Sequence, residues 1–179
     1  KILKDTKVGV TELELKNKLE YYLKSYGGSK SSFDLIVLFG ERTSRPHGIS
    51  SEYKLKKNMP ILFDIGVEYK GYCSDMTRMV VFGKIEEGFL KDYNFVKAVQ
   101  EKALENIKSG SLCKDIDLEV RRAFAVNKSQ VFHSTGHGVG LEIHERPYLN
   151  LKSRDRLKEN MVVTAEPGLY LPGKYGIRI

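Results

Sequence analysis

The chain holds two cysteines, five prolines and no tryptophan among 179 residues. Cys73 and Cys113 stand far apart with no CxxC spacing, which excludes a disulfide framework and suits a reducing cytoplasm. No apolar run approaches the ~20 residues that span a bilayer, and no signal-like apolar segment opens the chain. A soluble cytoplasmic protein with no membrane partner is the expectation. Charge is also sparing in blocks: 30 Lys and Arg against 23 Asp and Glu give +7, yet no run of five or six basic residues occurs. The excess therefore reads as a lysine-rich solvated surface and not as a nucleic-acid footprint.

Histidine is scarcer still, with four in the chain, and three of them fall within "HSTGHGVGLEIHERP", His133 to Pro147. A glycine-rich run of this kind can cradle a phosphate. It lacks the P-loop lysine and the GxGxxG order before a helix, which disfavours that reading.

What is present supports a globular core. With 41% hydrophobic residues, a chain this long buries about two-thirds of its unfolded surface, and residues 1–179 are expected to form one domain or two fused halves. Leucine and tyrosine at helical spacing predict a first helix from an N-cap at Thr11 to the glycine pair Gly27 and Gly28. "FDLIVLFG" and the stretch from Met59 to Gly83 predict strands, the latter with a hairpin turn near Lys70 and Gly71. Helical periodicity returns over Phe89 to Lys108 and Asp115 to Ala125. Extended segments are expected near Val131, over Met161 to Ala165 and over Leu169 to Ile179. Helices followed by strands, twice over, give an α+β class.

The two halves echo each other. "KVGVTELEL" at Lys7 resembles "KSGSLCKDIDLEV" at Lys108, and "NMPILFDIG" at Asn58 matches "NMVVTAEPG" at Asn160. Asp64 and Glu166 occupy equivalent places in the second pair, so a pseudo-twofold arrangement brings them face to face. Asp64 follows the apolar run Ile61-Leu62-Phe63, where a lone buried carboxylate is costly unless paired or metal-bound. The hairpin can carry Asp75 to the same face. Capping of a turn by Asp64 and a surface pair between Asp75 and Arg78 are the plainer alternatives. Asp64, Asp75, Glu166 and His137 together form an oxygen-rich set with one imidazole, suited to Mn, Co, Fe or Zn and to a pair of ions, since so much negative charge calls for two.

From about Val10 to Ile179 the chain resembles the pita-bread-fold metallopeptidases, the methionine aminopeptidase and Xaa-Pro peptidase group. That resemblance implies two pseudo-twofold halves of helices packed on a curved antiparallel sheet. It implies two divalent metal ions held by Asp64, Asp75, His137 in its GHG turn, and Glu166 before Pro-Gly. It assigns Glu166 as proton shuttle and His144, in "HERP", as donor to the developing oxyanion. His47, in "RPHG", enters as a further catalytic and substrate-facing residue, and Arg178 as the family's arginine near the metal. "SDMTR", "RPHG" and above all His133, four residues before His137, resemble the Xaa-Pro enzymes more than methionine aminopeptidases. The implied reaction is cleavage of the bond preceding proline in a peptide with proline second, by an enzyme that forms a homodimer. A binding module on the same fold, a methionine aminopeptidase and a metal-free amidino hydrolase are the competing readings. The family places a bridging glutamate directly after Gly-x-Arg-Ile and a further domain before the catalytic one. This chain begins at Lys1 and reads "GIRI" to its last residue, so a fragment whose parent continues with glutamate is expected.

Overall fold

Thr11 starts the first long helix as its sequence requires. Its hydroxyl accepts from the Glu14 amide at 3.1 Å while the Glu14 carboxylate accepts from the Thr11 amide at 2.7 Å, a complete capping box. The computed structural model describes residues 1–179. A single turn, α1 (Ile2–Asp5), precedes this helix, α2 (Glu12–Ser25), which buries Leu15 and Leu19 one turn apart on one face. Gly27, at φ +99°, then adopts a conformation that a side chain resists.

The strands follow in order: β1 (Lys30–Ser31), β2 (Ile36–Phe39), β3 (Met59–Ile65), β4 (Val67–Tyr69), β5 (Tyr72–Cys73) and β6 (Met76–Phe82), with a 3₁₀ turn at Gly40–Ser44 after β2. The second half has α3 (Glu87–Asn106), α4 (Cys113–Val126), β7 (Gly136–Gly138), β8 (Glu145–Leu149), β9 (Gly168–Leu171) and β10 (Tyr175–Arg178). Every ladder is antiparallel: β2-β3-β6, β1-β4-β5, β7-β8 and β9-β10. The hairpin turn falls at Lys70 and Gly71, both at positive φ. No helix is long and apolar enough to cross a membrane.

Two expectations shift. Val131 lies outside regular structure, and of Met161 to Ala165 only Val163 makes an isolated bridge, to Gly138. Two reciprocal bonds flank that bridge, from the Thr164 amide to the His137 carbonyl at 2.8 Å and from the Val139 amide to the Val162 carbonyl at 3.1 Å, but the His137 amide donates to the Thr164 hydroxyl at 3.0 Å, so no ladder extends from it.

Each half has its own core. Val10, Leu15, Leu19, Leu35, Val37, Phe39, Leu55, Ile61 and Phe63 cluster in the first. In the second, α3 and α4 bring Val96, Val99, Ile116, Val120 and Phe124 onto Leu149, Leu169 and Ile177. The halves repeat down to the backbone. The Gly9 amide donates to the Leu55 carbonyl and the Gly110 amide to that of Leu157, at 2.9 and 2.8 Å. Both glycines have φ +89°, and Asn58 and Asn160 sit in the left-handed region at φ 63° and 65°.

Candidate metal centre

Alternation along β3 decides where Asp64 goes. Ile61 and Phe63 enter the first core, so Asp64 points to the opposite face, where it pairs in register with Thr77 of β6. Asp75, two residues before Thr77, is directed to that same face. Both acids line a cleft of about 330 Å³ together with Phe33, His47, His133, His137, His144 and Glu166.

His137 is delivered by β7, which is flanked by other chain segments on both sides. A Cβ on Gly136 would lie 2.0 Å from the Thr164 carbonyl oxygen, and one on Gly138 2.5 Å from that of Arg146. The glycines of the GHG turn thus let neighbouring backbone close in on both sides. His137 is fixed at its ring as well: Nδ1 lies 2.9 Å from the Gly138 carbonyl, which leaves Nε2 aimed into the cleft. Glu166 is set by its amide, which donates to the Thr135 carbonyl at 2.9 Å, and by the Thr164 hydroxyl, which donates to Oε1 at 3.0 Å.

The result is a convergence of three side chains. His137 Nε2 lies 3.2 Å from Glu166 Oε1 and 3.4 Å from Asp75 Oδ2. One ligand atom from each of the three falls within 4.8 Å of the others. Asp75 therefore faces inward to His137 and makes no pair with Arg78, whose guanidinium turns to the Thr77 carbonyl. Burial alone would lower the His137 imidazole, but the hydrogen bonds to Asp75 and Glu166 outweigh it and push it up to about 10. Burial works to raise Glu166, and His137 with Arg178 more than offsets it, holding the carboxyl below its usual range.

Asp64 lies in the same cleft but outside that triad. Its Oδ1 accepts from the Thr77 hydroxyl at 2.8 Å and its Oδ2 from Arg178 Nη2 at 2.5 Å. Burial raises its carboxyl above the ordinary value against the pull of Arg178 and Thr77. Arg178 is itself almost wholly buried and engaged at each nitrogen. Nε donates to Thr77 Oγ1 at 3.0 Å, and Nη1 to the Pro46 carbonyl at 3.0 Å and the Tyr170 hydroxyl at 3.3 Å. Its Nε also stands 3.9 Å from Glu166 Oε2, so one cation serves both equivalent acids of the repeat.

The remaining histidines ring the cleft. His144 is exposed and packs edge-on against His137, ring centroids 4.4 Å apart. His47 is exposed on the loop after the 3₁₀ turn. His133 is half-buried, its Nε2 2.8 Å from the Tyr170 hydroxyl and its Nδ1 2.8 Å from the Ser134 carbonyl. Burial lowers its imidazole below the ordinary histidine range. Tyr170, which joins His133 to Arg178, has no motif to announce it and was not among the residues the sequence pointed to. Its position on β9 two residues after the Pro-Gly that follows Glu166 is the one available signal.

Known proteins share this arrangement's fold and sequence. The profile of metallopeptidase family M24 matches residues 1–179. An uncharacterized peptidase of Methanocaldococcus jannaschii is 46% identical over 174 residues, which cover 95% of this chain and 49% of that protein. The Xaa-Pro dipeptidase from Bacillus anthracis superposes with a TM-score of 0.95 at 40% identity, covering 99% of this chain and 51% of that one. The X-Pro aminopeptidase from Thermotoga maritima does so with a TM-score of 0.95 at 36% identity, covering 99% and 51%. The chain spans about half the length of the curated relatives it matches. With a profile matched from end to end and a relative of this identity, the chain belongs to metallopeptidase family M24.

Proposed function

We propose that this chain is the catalytic domain of a peptidase with two divalent ions that hydrolyses the bond between an N-terminal residue and proline. The observation that carries the reading is the convergence of Asp75, His137 and Glu166 in a cleft that His133 also lines. Two carboxylates and one imidazole suit Mn, Co, Fe or Zn. The Gly138 carbonyl against Nδ1 supplies the outer hydrogen bond that metal-ligating histidines carry. Asp64 is the fourth residue that would hold an ion, beside the bond it accepts from Arg178. Bound divalent ions supply Lewis acidity and generate a nucleophile at neutral pH.

The protein's own groups do the rest. Glu166, with the Arg178 guanidinium 3.9 Å from its Oε2, accepts the nucleophile's proton and passes it to the leaving nitrogen, which as a secondary amine must be protonated to depart. His144, exposed beside His137, donates to the developing oxyanion, a contribution of roughly 3 kcal/mol when such a donor is removed. His47 and His133 bound the substrate pocket, and Asp64 helps hold the free amino terminus. Arg178 acts indirectly, as counter-charge to Asp64 and Glu166. The two unpaired cysteines accord with a cytoplasmic site of action, and homodimer formation belongs to the same reading. The test is hydrolysis of a dipeptide and a tripeptide with proline second, against the same peptides with alanine there. Preference for proline supports the proposal, and equal rates on both would refute it.

A further inference from the structure

Each half of the molecule buries one acid beneath one arginine, and the two arginines divide their nitrogens in the same way. In the first half Glu12 opens α2 with no solvent exposure, and Arg42 Nε donates to its two oxygens at 3.0 Å each. Arg42 Nη2 reaches past the acid to the Ile49 carbonyl at 2.8 Å. In the second half Asp117 of α4 is equally buried, and Arg121 Nε donates to its Oδ2 at 2.7 Å. Arg121 Nη2 reaches on to the His133 carbonyl at 3.2 Å.

The acids themselves grip the same segments. Glu12 accepts from the Ser51 amide and hydroxyl at 3.0 and 2.8 Å. Asp117 accepts from the Thr135 amide and hydroxyl at 3.1 and 2.8 Å. One grip closes around the loop that carries His47, the other around the segment that carries His133. None of Glu12, Arg42, Asp117 and Arg121 lines the cleft, so none can touch a substrate there. Buried ion pairs add little stability over apolar packing, and an ion pair alone needs no second nitrogen on a loop carbonyl. Geometry is what the second nitrogen adds.

We propose that Glu12–Arg42 and Asp117–Arg121 are positioning pairs, one per half, that set His47 and His133 against the substrate; the kinetic part of this inference rests on the peptidase reading above. Arginine-to-lysine variants separate the functions, because lysine keeps a cation on the acid and loses the second arm to the loop. Arg121→Lys and Arg42→Lys are made in the complete protein. Each is expected to raise KM for an Xaa-Pro dipeptide at least about fivefold with kcat within about twofold. Metal content should match the parent, since Asp75, His137 and Glu166 are untouched. A readout independent of activity is the imidazole nitrogen resonances. Those of His133 should move in Arg121→Lys and those of His47 in Arg42→Lys, each without the other. Parental KM with unmoved resonances overturns the inference, as does an equal shift of all four histidines, which denotes general loosening. If the parent protein cleaves no Xaa-Pro peptide, the function proposed above fails, and the imidazole resonances alone decide whether the pairs position the histidines.

Discussion

His137 Nε2 and Glu166 Oε1 stand 3.2 Å apart, joined from β7 and from the segment that leads into β9. With Asp75 on the other side, the two acids hold the metal-free imidazole as a cation, its proton affinity pushed up to about 10. A raised value stabilises the metal-free fold fully below the ordinary histidine range near 6.5, and that contribution is lost as pH rises towards 10. An ion must displace this proton, so apparent metal affinity should rise with pH between about 6.5 and 10. Calorimetric titration of Mn²⁺ in buffers of different ionisation enthalpy should show about one proton released per ion held by His137. Affinity that is flat across that range would exclude the protonated imidazole.

Arg178 carries the charge balance of the cleft floor, joined to Asp64 at 2.5 Å with both partners largely buried. Arg178→Leu removes the one cation that faces the buried Asp64 carboxylate and leaves it the Thr77 hydroxyl as its remaining donor. A loss of about 3–5 kcal/mol in unfolding free energy is expected in the metal-free protein, read by urea denaturation at neutral pH. A loss below about 1 kcal/mol, the range of an exposed pair, would show that solvent and not Arg178 balances Asp64.

Tyr170 fixes the ring of His133 from one side, with 2.8 Å between Oη and Nε2. Tyr170→Phe keeps the shape and removes that bond, worth about 0.5–1.5 kcal/mol. KM for Xaa-Pro substrates should rise several-fold while bound metal stays at the parental level, and His133→Ala should do the same more strongly. Metal loss in His133→Ala would place His133 among the ligands instead.

Gly136 lies where the Thr164 carbonyl oxygen would be 2.0 Å from an added Cβ. Gly136→Ala must push β7 away from the segment that positions Glu166, and it should cost about 1–3 kcal/mol. The greater effect is expected on metal affinity, since His137 and Glu166 separate together. Circular dichroism near that of the parent combined with weakened Mn²⁺ binding would bear this out. Parental affinity would show that the two ligands are not set by that contact.

Much of this was legible in the residues because it is local or repeated. The Thr11 capping box, the turn at Lys70 and Gly71 and the alternation that turns Asp64 from the core all follow from rules of short range. The match of Asn58 to Asn160 announced the internal repeat that places Asp64 and Glu166 alike. Less was legible where a residue acts through distant partners. Tyr170 and the pairs Glu12–Arg42 and Asp117–Arg121 look, in sequence, like ordinary members of amphipathic elements. Only the fold brings Arg121 to the His133 carbonyl. That Gly136 and Gly138 admit the backbone of Thr164 and Arg146 is likewise visible only in the fold. The stretch over Met161 to Ala165 has strand-forming residues, but the His137 amide takes the Thr164 hydroxyl in place of a backbone carbonyl, and only one bridge forms.

The most direct test of the account is cobalt binding to the complete protein, followed by visible absorption, for the parent and for His137→Ala and Asp75→Ala. The account predicts tight Co²⁺ binding by the parent and a loss of more than about 100-fold in each variant, beyond what removal of an outer partner costs, with unchanged far-ultraviolet circular dichroism. Parental Co²⁺ affinity in both variants would contradict it, because Asp75 and His137 would then hold no metal.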